Sequence, residues 1–143
     1  MTNKQFIKEK LIQRLMENED KFIVGGALIK CTQTGRVFLL LRNDTVPTWA
    51  LVSGHIEKGE SVLDGLKREI HEELAIEADS VTLKFVRIEK VPEKNIEFHY
   101  YEGSTSTEFS PTLDQENKKY DWFSKDDLPS PLFKGLAEKI KEI

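Results

Sequence analysis

Apolar positions along the chain follow two periodicities, and the changes of period mark its elements. From Phe6 to Met16 the residues Phe6, Ile7, Leu11, Ile12, Leu15 and Met16 recur at helical spacing, which predicts an amphipathic N-terminal helix covering a core. Phe22 to Lys30 and Val37 to Leu41 are rich in β-branched and large apolar residues, and Thr32-Gln33-Thr34-Gly35 between them has turn chemistry, so the pair reads as a hairpin. Trp49 to Val52 forms a short strand running into Ser53-Gly54. Ser61 to Leu74 is the clearest helix. Val81 to Val91 and Ile96 to Tyr101 read as strands, followed by a polar connection from Gly103 to about Lys118 and a last short strand, Tyr120 to Phe123. Ser130-Pro131 has the form of a helix start, with Leu132, Leu136 and Ile140 repeating down one side. Central strands with helices at both ends and one inside suit an α/β class fold, an α/β/α sandwich, better than a bundle or an all-β barrel.

Composition narrows the function. The 143 residues are 38% hydrophobic and 32% charged, enough for one core and too few for two ordinary domains, so residues 1–143 are expected to form a single domain. No apolar run approaches the roughly 20 residues of a membrane-spanning helix, and charges interrupt the first ten positions before a signal-peptide core could form. A cytoplasmic location and no membrane partner are expected. Cys31 is the single cysteine, which excludes an internal disulfide and a cysteine zinc cluster within one chain. A formal charge of -4 offers no broad attraction to nucleic acid, so a phosphate-bearing partner would need local groups or bound cations.

The helix from Ser61 to Leu74 carries the chemistry. On a helical wheel Val62, Leu63, Leu66, Ile70 and Leu74 fall within roughly 120° and predict the buried face. Glu69, Glu72 and Glu73 stand at i, i+3 and i+4 on the border of that stripe, a like-charge grouping that destabilises an isolated helix. A hard divalent cation would turn that repulsion into shared coordination. Arg68 could brace a carboxylate by a forked hydrogen bond. Upstream, Gly54 and Gly59 bracket the loop His55-Ile56-Glu57-Lys58, and Glu60 opens the helix beside its positive dipole end. A glycine loop against a carboxylate helix suggests metal-assisted phosphate chemistry. The competing structural reading of each feature is a solvated acidic face. Likewise His55, His71 and His99 are too scattered for a zinc triad, while Trp49, Tyr100, Tyr101 and Cys31 read first as core residues.

The stretch from Gly54 through Glu60 to Arg68-Glu69-Ile70-His71-Glu72-Glu73-Leu74-Ala75-Ile76 closely resembles the Nudix box: Gly, five residues, Glu, seven residues, Arg-Glu-aliphatic-any-Glu-Glu-any-Gly-aliphatic. Every fixed position matches except the second glycine, where this chain has Ala75. If the family's positive-φ helix exit is kept, Ala75 costs about 1 kcal/mol; otherwise the exit differs. Val52-Ser53-Gly54 stands where many members have Pro-Gly-Gly. The order of strands around the box and Tyr120-Asp121-Trp122-Phe123 also look like the family's domain.

The resemblance implies hydrolysis of the pyrophosphate bond of a nucleoside diphosphate linked to another moiety: a nucleotide sugar, ADP-ribose, a dinucleoside polyphosphate or a nucleoside triphosphate. It implies that Glu69, Glu72, Glu73 and the Ser53 carbonyl hold Mg²⁺, with Mn²⁺ able to substitute, and that Arg68 and Glu60 brace the ligands. Glu69 or Glu73 is the first choice of general base; Glu116, in the polar connection before Trp122, is a second base or extra metal ligand. The alternative is a regulator of the same fold that binds nucleotides without cleaving them. A small-molecule nucleotide is the expected partner, and the N-terminal helix could also contact a second copy in a homodimer.

Overall fold

Ten residues from Phe22 to Cys31 form β1, the strand around which the rest assembles. The computed structural model describes residues 3–5, 7–9 and 21–143. Of the N-terminal helix expected over Phe6 to Met16, only 7–9 fall among them; the rest, and with it the expected dimer contact, lies outside the described residues.

One edge of β1 pairs in parallel with β6 (Ile96–Thr105) along its whole length, from Phe22 opposite Ile96 to Cys31 opposite Thr105. Its other edge is shared by β4 (Val52–His55), antiparallel from Val24 to Ala27, and β2 (Val37–Arg42), antiparallel at Ile29 and Lys30. The outer strands complete a seven-stranded mixed sheet: β5 (Thr82–Val91) on β6, and both β3 (Trp49–Ala50) and β7 (Asn117–Phe123) on β2. A parallel pair needs its connection to cross a face of the sheet, and α1 (Val62–Leu74) lies within that crossover.

Strand alternation builds two cores from the same strands, one on each face of the sheet. Ala27, Ile29 and Cys31 of β1, with Phe38, Leu40, Val52, Tyr101 and Trp122, face Leu66, Ile70 and Leu74 of α1. Leu28, Val37, Leu39, Trp49 and Tyr100 face Leu136 and Ile140 of the C-terminal helix α2 (Leu136–Glu142). Each fully buried leucine or isoleucine of α1 contributes about 2 kcal/mol through the water it gives up. The result is the expected α/β/α sandwich with a mixed central sheet. Trp49, Tyr100, Tyr101 and Cys31 are core residues, as their types suggested. No helix among the described residues is long and apolar enough to cross a membrane.

Several boundaries differ from the sequence reading, each for a physical reason. Leu63 of α1 is exposed, because the packed stripe narrows to Leu66, Ile70 and Leu74. Trp49 to Val52 divides into two strands on different neighbours. Strand β6 runs on through Glu102 to Thr105, paired with β1 throughout and with β5 as far as Ser104. Ser130-Pro131 does not open a helix. The Trp49 N–H donates to the Pro131 carbonyl (2.9 Å) and the Phe133 N–H to the Trp49 carbonyl (2.8 Å), so residues 131–133 lie along β3 and α2 begins only after Gly135.

Candidate active site

Both ends of α1 carry glutamates, and the two ends are built differently. At the N-terminal end Ser61 caps the helix, its hydroxyl accepting from the Asp64 N–H (3.1 Å). Strand β4 delivers Gly54 opposite Gly25, and a β-carbon on Gly54 would overlap the Glu69 side chain. Only glycine lets that carboxylate lie against the strand. Ser53, whose carbonyl was an expected ligand, is the preceding residue of β4, opposite Gly26.

Arg68 organises this end. Its Nη2 and Nε donate to the two oxygens of Glu60 (2.7 and 3.1 Å), the fork expected of a guanidinium on a carboxylate. Nη1 donates to Glu69 Oε1 (3.0 Å) and Glu72 Oε2 (3.1 Å), and Nη2 also reaches the His55 carbonyl (3.1 Å). The Glu57 N–H adds a second donor to Glu60 (2.7 Å). Arg68, then the Glu57 amide, hold the Glu60 carboxyl down at about 2, and Glu60 in turn raises Arg68 above its ordinary value. Glu69 is pulled two ways. Burial outweighs Arg68 and raises its proton affinity.

At the C-terminal end Glu73 is 2% exposed, packed beneath the connection between β6 and β7. That connection docks on the helix end: the Thr112 N–H donates to the Leu74 carbonyl (3.0 Å) and the Asp114 N–H to the Glu73 carbonyl (3.3 Å), satisfying groups that a helix end leaves unpaired. From the other side Asn43 grips it, the backbone N–H donating to the Glu116 carbonyl (2.8 Å) and Nδ2 to the Gln115 carbonyl (3.1 Å). Carboxylate oxygens of Glu73, Asp114 and Glu116 thereby lie within 4.8 Å of one another. Glu73 Oε1 accepts from Asn117 Nδ2 (3.4 Å), whereas Oε2 is buried without a partner. Burial, reinforced by Glu69, Glu116 and Asp114, pushes the Glu73 carboxyl up to about 8.

The sequence-predicted residues therefore divide. Glu60, Arg68, Glu69 and Glu72 form one hydrogen-bonded group, while Glu73 and Glu116 belong to another that also contains Asp114. Of the three box glutamates, Glu72 turns outward to Arg68 with its side chain 55% exposed, while Glu69 lies close enough to Glu73 for its charge to raise that carboxyl. Asp114 and Asn117 were missed. The available signal was the spacing Asp114-x-Glu116 just before a strand, which sets two carboxylates on one turn. His71 sits at the helix exit, its Nδ1 3.1 Å from the Ile76 carbonyl, and His99 pairs with Glu97 (2.8 Å), so neither joins the acidic groups.

The residues fit a divalent cation. A buried carboxylate oxygen lacking any partner, facing two further carboxylates, is a hard oxygen donor set, and among the described residues no ion pair involves Glu73, Asp114 or Glu116.

Residues 22–143 match the NUDIX domain family. The chain belongs to the Nudix family. Its Nudix domain is 30% identical over 87 residues to the mouse (Mus musculus) 8-oxo-dGDP phosphatase NUDT18, covering 59% of this chain and 26% of that protein. The chain thus spans about a quarter of that curated relative. Among solved structures, an Ap4A hydrolase binary complex from C. elegans superposes with a TM-score of 0.71 at 17% identity, covering 83% of this chain and 93% of that one. A NUDIX-family hydrolase from Clostridium perfringens gives 0.70 at 20% identity, covering 85% and 94%. These likenesses establish the Nudix fold. In that fold Ala75 keeps the left-handed helix exit at φ 53° and ψ 38°, its N–H donating to the His71 carbonyl (2.9 Å), so the exit is retained without the glycine.

Proposed function

We propose that this Nudix domain is a metal-dependent pyrophosphohydrolase acting on a nucleoside diphosphate linked to another moiety. The observation that carries the reading is Glu73: a buried carboxylate with one unpartnered oxygen, facing Asp114 and Glu116 at the end of the box helix. Glu73, Asp114 and Glu116 would hold Mg²⁺ or Mn²⁺, with Glu69 and Glu72 of the box and the carbonyl of Ser53, just before it, as the further donors that the family resemblance implies. Bound there, such an ion would supply charge neutralisation for the diphosphate and a lowered pKa for water.

The chain's own residues do the rest. Arg68 and Glu60 hold one another in a fork, and Arg68 thereby fixes the rotamer of Glu69 over Gly54. Glu69, held over Gly54 by Arg68 and raised in proton affinity by burial, takes the proton of the attacking water. Attack on a phosphorus of the pyrophosphate releases a nucleoside monophosphate and a second phosphorylated fragment, or pyrophosphate from a triphosphate. The names of the mouse and C. elegans relatives, an 8-oxo-dGDP phosphatase and an Ap4A hydrolase, guide the choice of substrates to try.

The test is a panel of nucleotide sugars, ADP-ribose, dinucleoside polyphosphates, NADH and oxidised nucleoside di- and triphosphates, with products weighed by mass spectrometry. Cleavage of the anhydride that requires Mg²⁺ or Mn²⁺ is expected. Binding of a nucleotide without cleavage of any of them would favour a regulator.

A further inference from the structure

Asn117 is the first residue of β7 and lies outside the box, yet it occupies a buried position between two of the acidic side chains. Regular alternation would not put it there. Trp122 and Tyr120 pack in the core beneath α1, so an unbroken strand would turn Lys118 toward α1 and Asn117 away. The register instead shifts between Leu41 and Arg42: Leu41 opposes Lys119 and Arg42 opposes Asn117, leaving Lys118 as the extra residue of a bulge. Such bulges re-aim side chains beside functional sites. Here the shift leaves Lys118 exposed and brings Asn117 inside, 7% exposed.

The exchange matters electrostatically. A lysine at that place would bring an ammonium to three carboxylates and neutralise them, as Arg68 does at the other end of α1. The carboxamide brings no charge. It brings two N–H bonds on one nitrogen, and Nδ2 stands 3.4 Å from both Glu73 Oε1 and Asp114 Oδ1. One group thus spans two carboxylates from different elements, the helix and the connection. Glu73 Oε2 stays free of any partner. The Glu116 N–H, donating to the same Asp114 oxygen (3.1 Å), ties the third member to that arrangement.

We infer that Asn117 is a positioning residue for cation binding: its amide holds Glu73 and Asp114 at a spacing a divalent ion can share while contributing no competing charge. The inference rests on the metal-site reading above. The experiment is Mn²⁺ titration of the full chain by calorimetry for wild type, Asn117→Ser and Asn117→Ala, with thermal unfolding in chelator as the control for folding. The Mn²⁺ dissociation constant should rise about 10-fold or more in Asn117→Ala, in line with the loss of a group that orients metal ligands. Asn117→Ser, with one donor instead of two, should fall between. At saturating Mn²⁺ the substrate KM should hold while kcat drops. If Asn117→Ala does not fold, Asn117→Ser decides on the same criterion. A folded variant that binds Mn²⁺ with wild-type affinity overturns the inference and leaves the metal site standing. Absence of saturable Mn²⁺ binding to wild type is a different result, and it overturns both.

Discussion

The two ends of α1 present the same side chain in opposite states. Glu60, beside the N-terminal end, accepts a forked pair of hydrogen bonds from Arg68 and a third from a backbone amide, and is ionised down to about pH 2. Glu73, at the C-terminal end, is buried against two further carboxylates with one neutral amide as its partner, and holds its proton up to about pH 8. Glu60, with the forked guanidinium of Arg68 on both its oxygens, is already satisfied. A glutamate that is desolvated and unpaired needs a proton or a cation from solution. The contrast separates a carboxylate braced by an arginine from a buried one left without a cationic partner, a distinction the helical wheel, which grouped Glu69, Glu72 and Glu73 on one arc, does not draw.

Glu73→Gln gives the largest expected break. It keeps the shape of the side chain and removes the charge on which the three-carboxylate group depends, so kcat should fall about 10³-fold and Mn²⁺ affinity with it. The circular dichroism spectrum should be unchanged. Arg68→Lys comes next. A lysine ammonium cannot reproduce the fork on Glu60 while also reaching Glu69, so Glu69 loses its fixed rotamer and kcat should drop about 10- to 100-fold, measurable by steady-state kinetics.

Proton linkage sharpens the comparison, because the two ends have opposite signs. Glu60 has a lowered folded-state value, so its contribution to stability is present above the ordinary glutamate range and is lost as pH falls toward about 2. Glu73 is raised: between the ordinary glutamate range and about pH 8 the folded chain binds more protons than the unfolded one, and stability declines as pH rises through that window. In chelator, Tm should therefore be higher at pH 5.5 than at pH 8. Mn²⁺ should raise Tm more at pH 8, where it no longer competes with the proton, and the slope should be smaller in Glu73→Gln. The smallest effect belongs to Ala75, whose left-handed conformation strains any residue with a β-carbon. Ala75→Gly should stabilise the fold by about 0.5 to 1 kcal/mol, the strain relieved less the added freedom of the unfolded chain, with kcat unchanged.

Much of this was legible in the chain. The mixed α/β architecture follows from the order of periodicities, and the box spacing marks α1 and its arginine because i, i+1 and i+4 neighbours on a helix are fixed by its pitch. What escaped depends on contacts distant in sequence. Asp114 meets Glu73 because backbone N–H groups of the connection cap the helix end, and no periodicity records such docking. Asn117 turns inward because of a bulge whose cause lies in the pairing with β2, outside its own strand. The Ser130-Pro131 misreading has the same origin: the segment's local preference yielded to hydrogen bonds with Trp49, more than 80 residues away.

Crystals soaked in Mn²⁺ and measured at its absorption edge test the central claim most directly. The account predicts an anomalous peak bonded to a Glu73 oxygen and to at least one of Glu69, Asp114 or Glu116, at the roughly 2.1 Å expected of a small hard cation. A map measured at a pH above 8 with no ion at Glu73 and the acidic connection unmoved would contradict it.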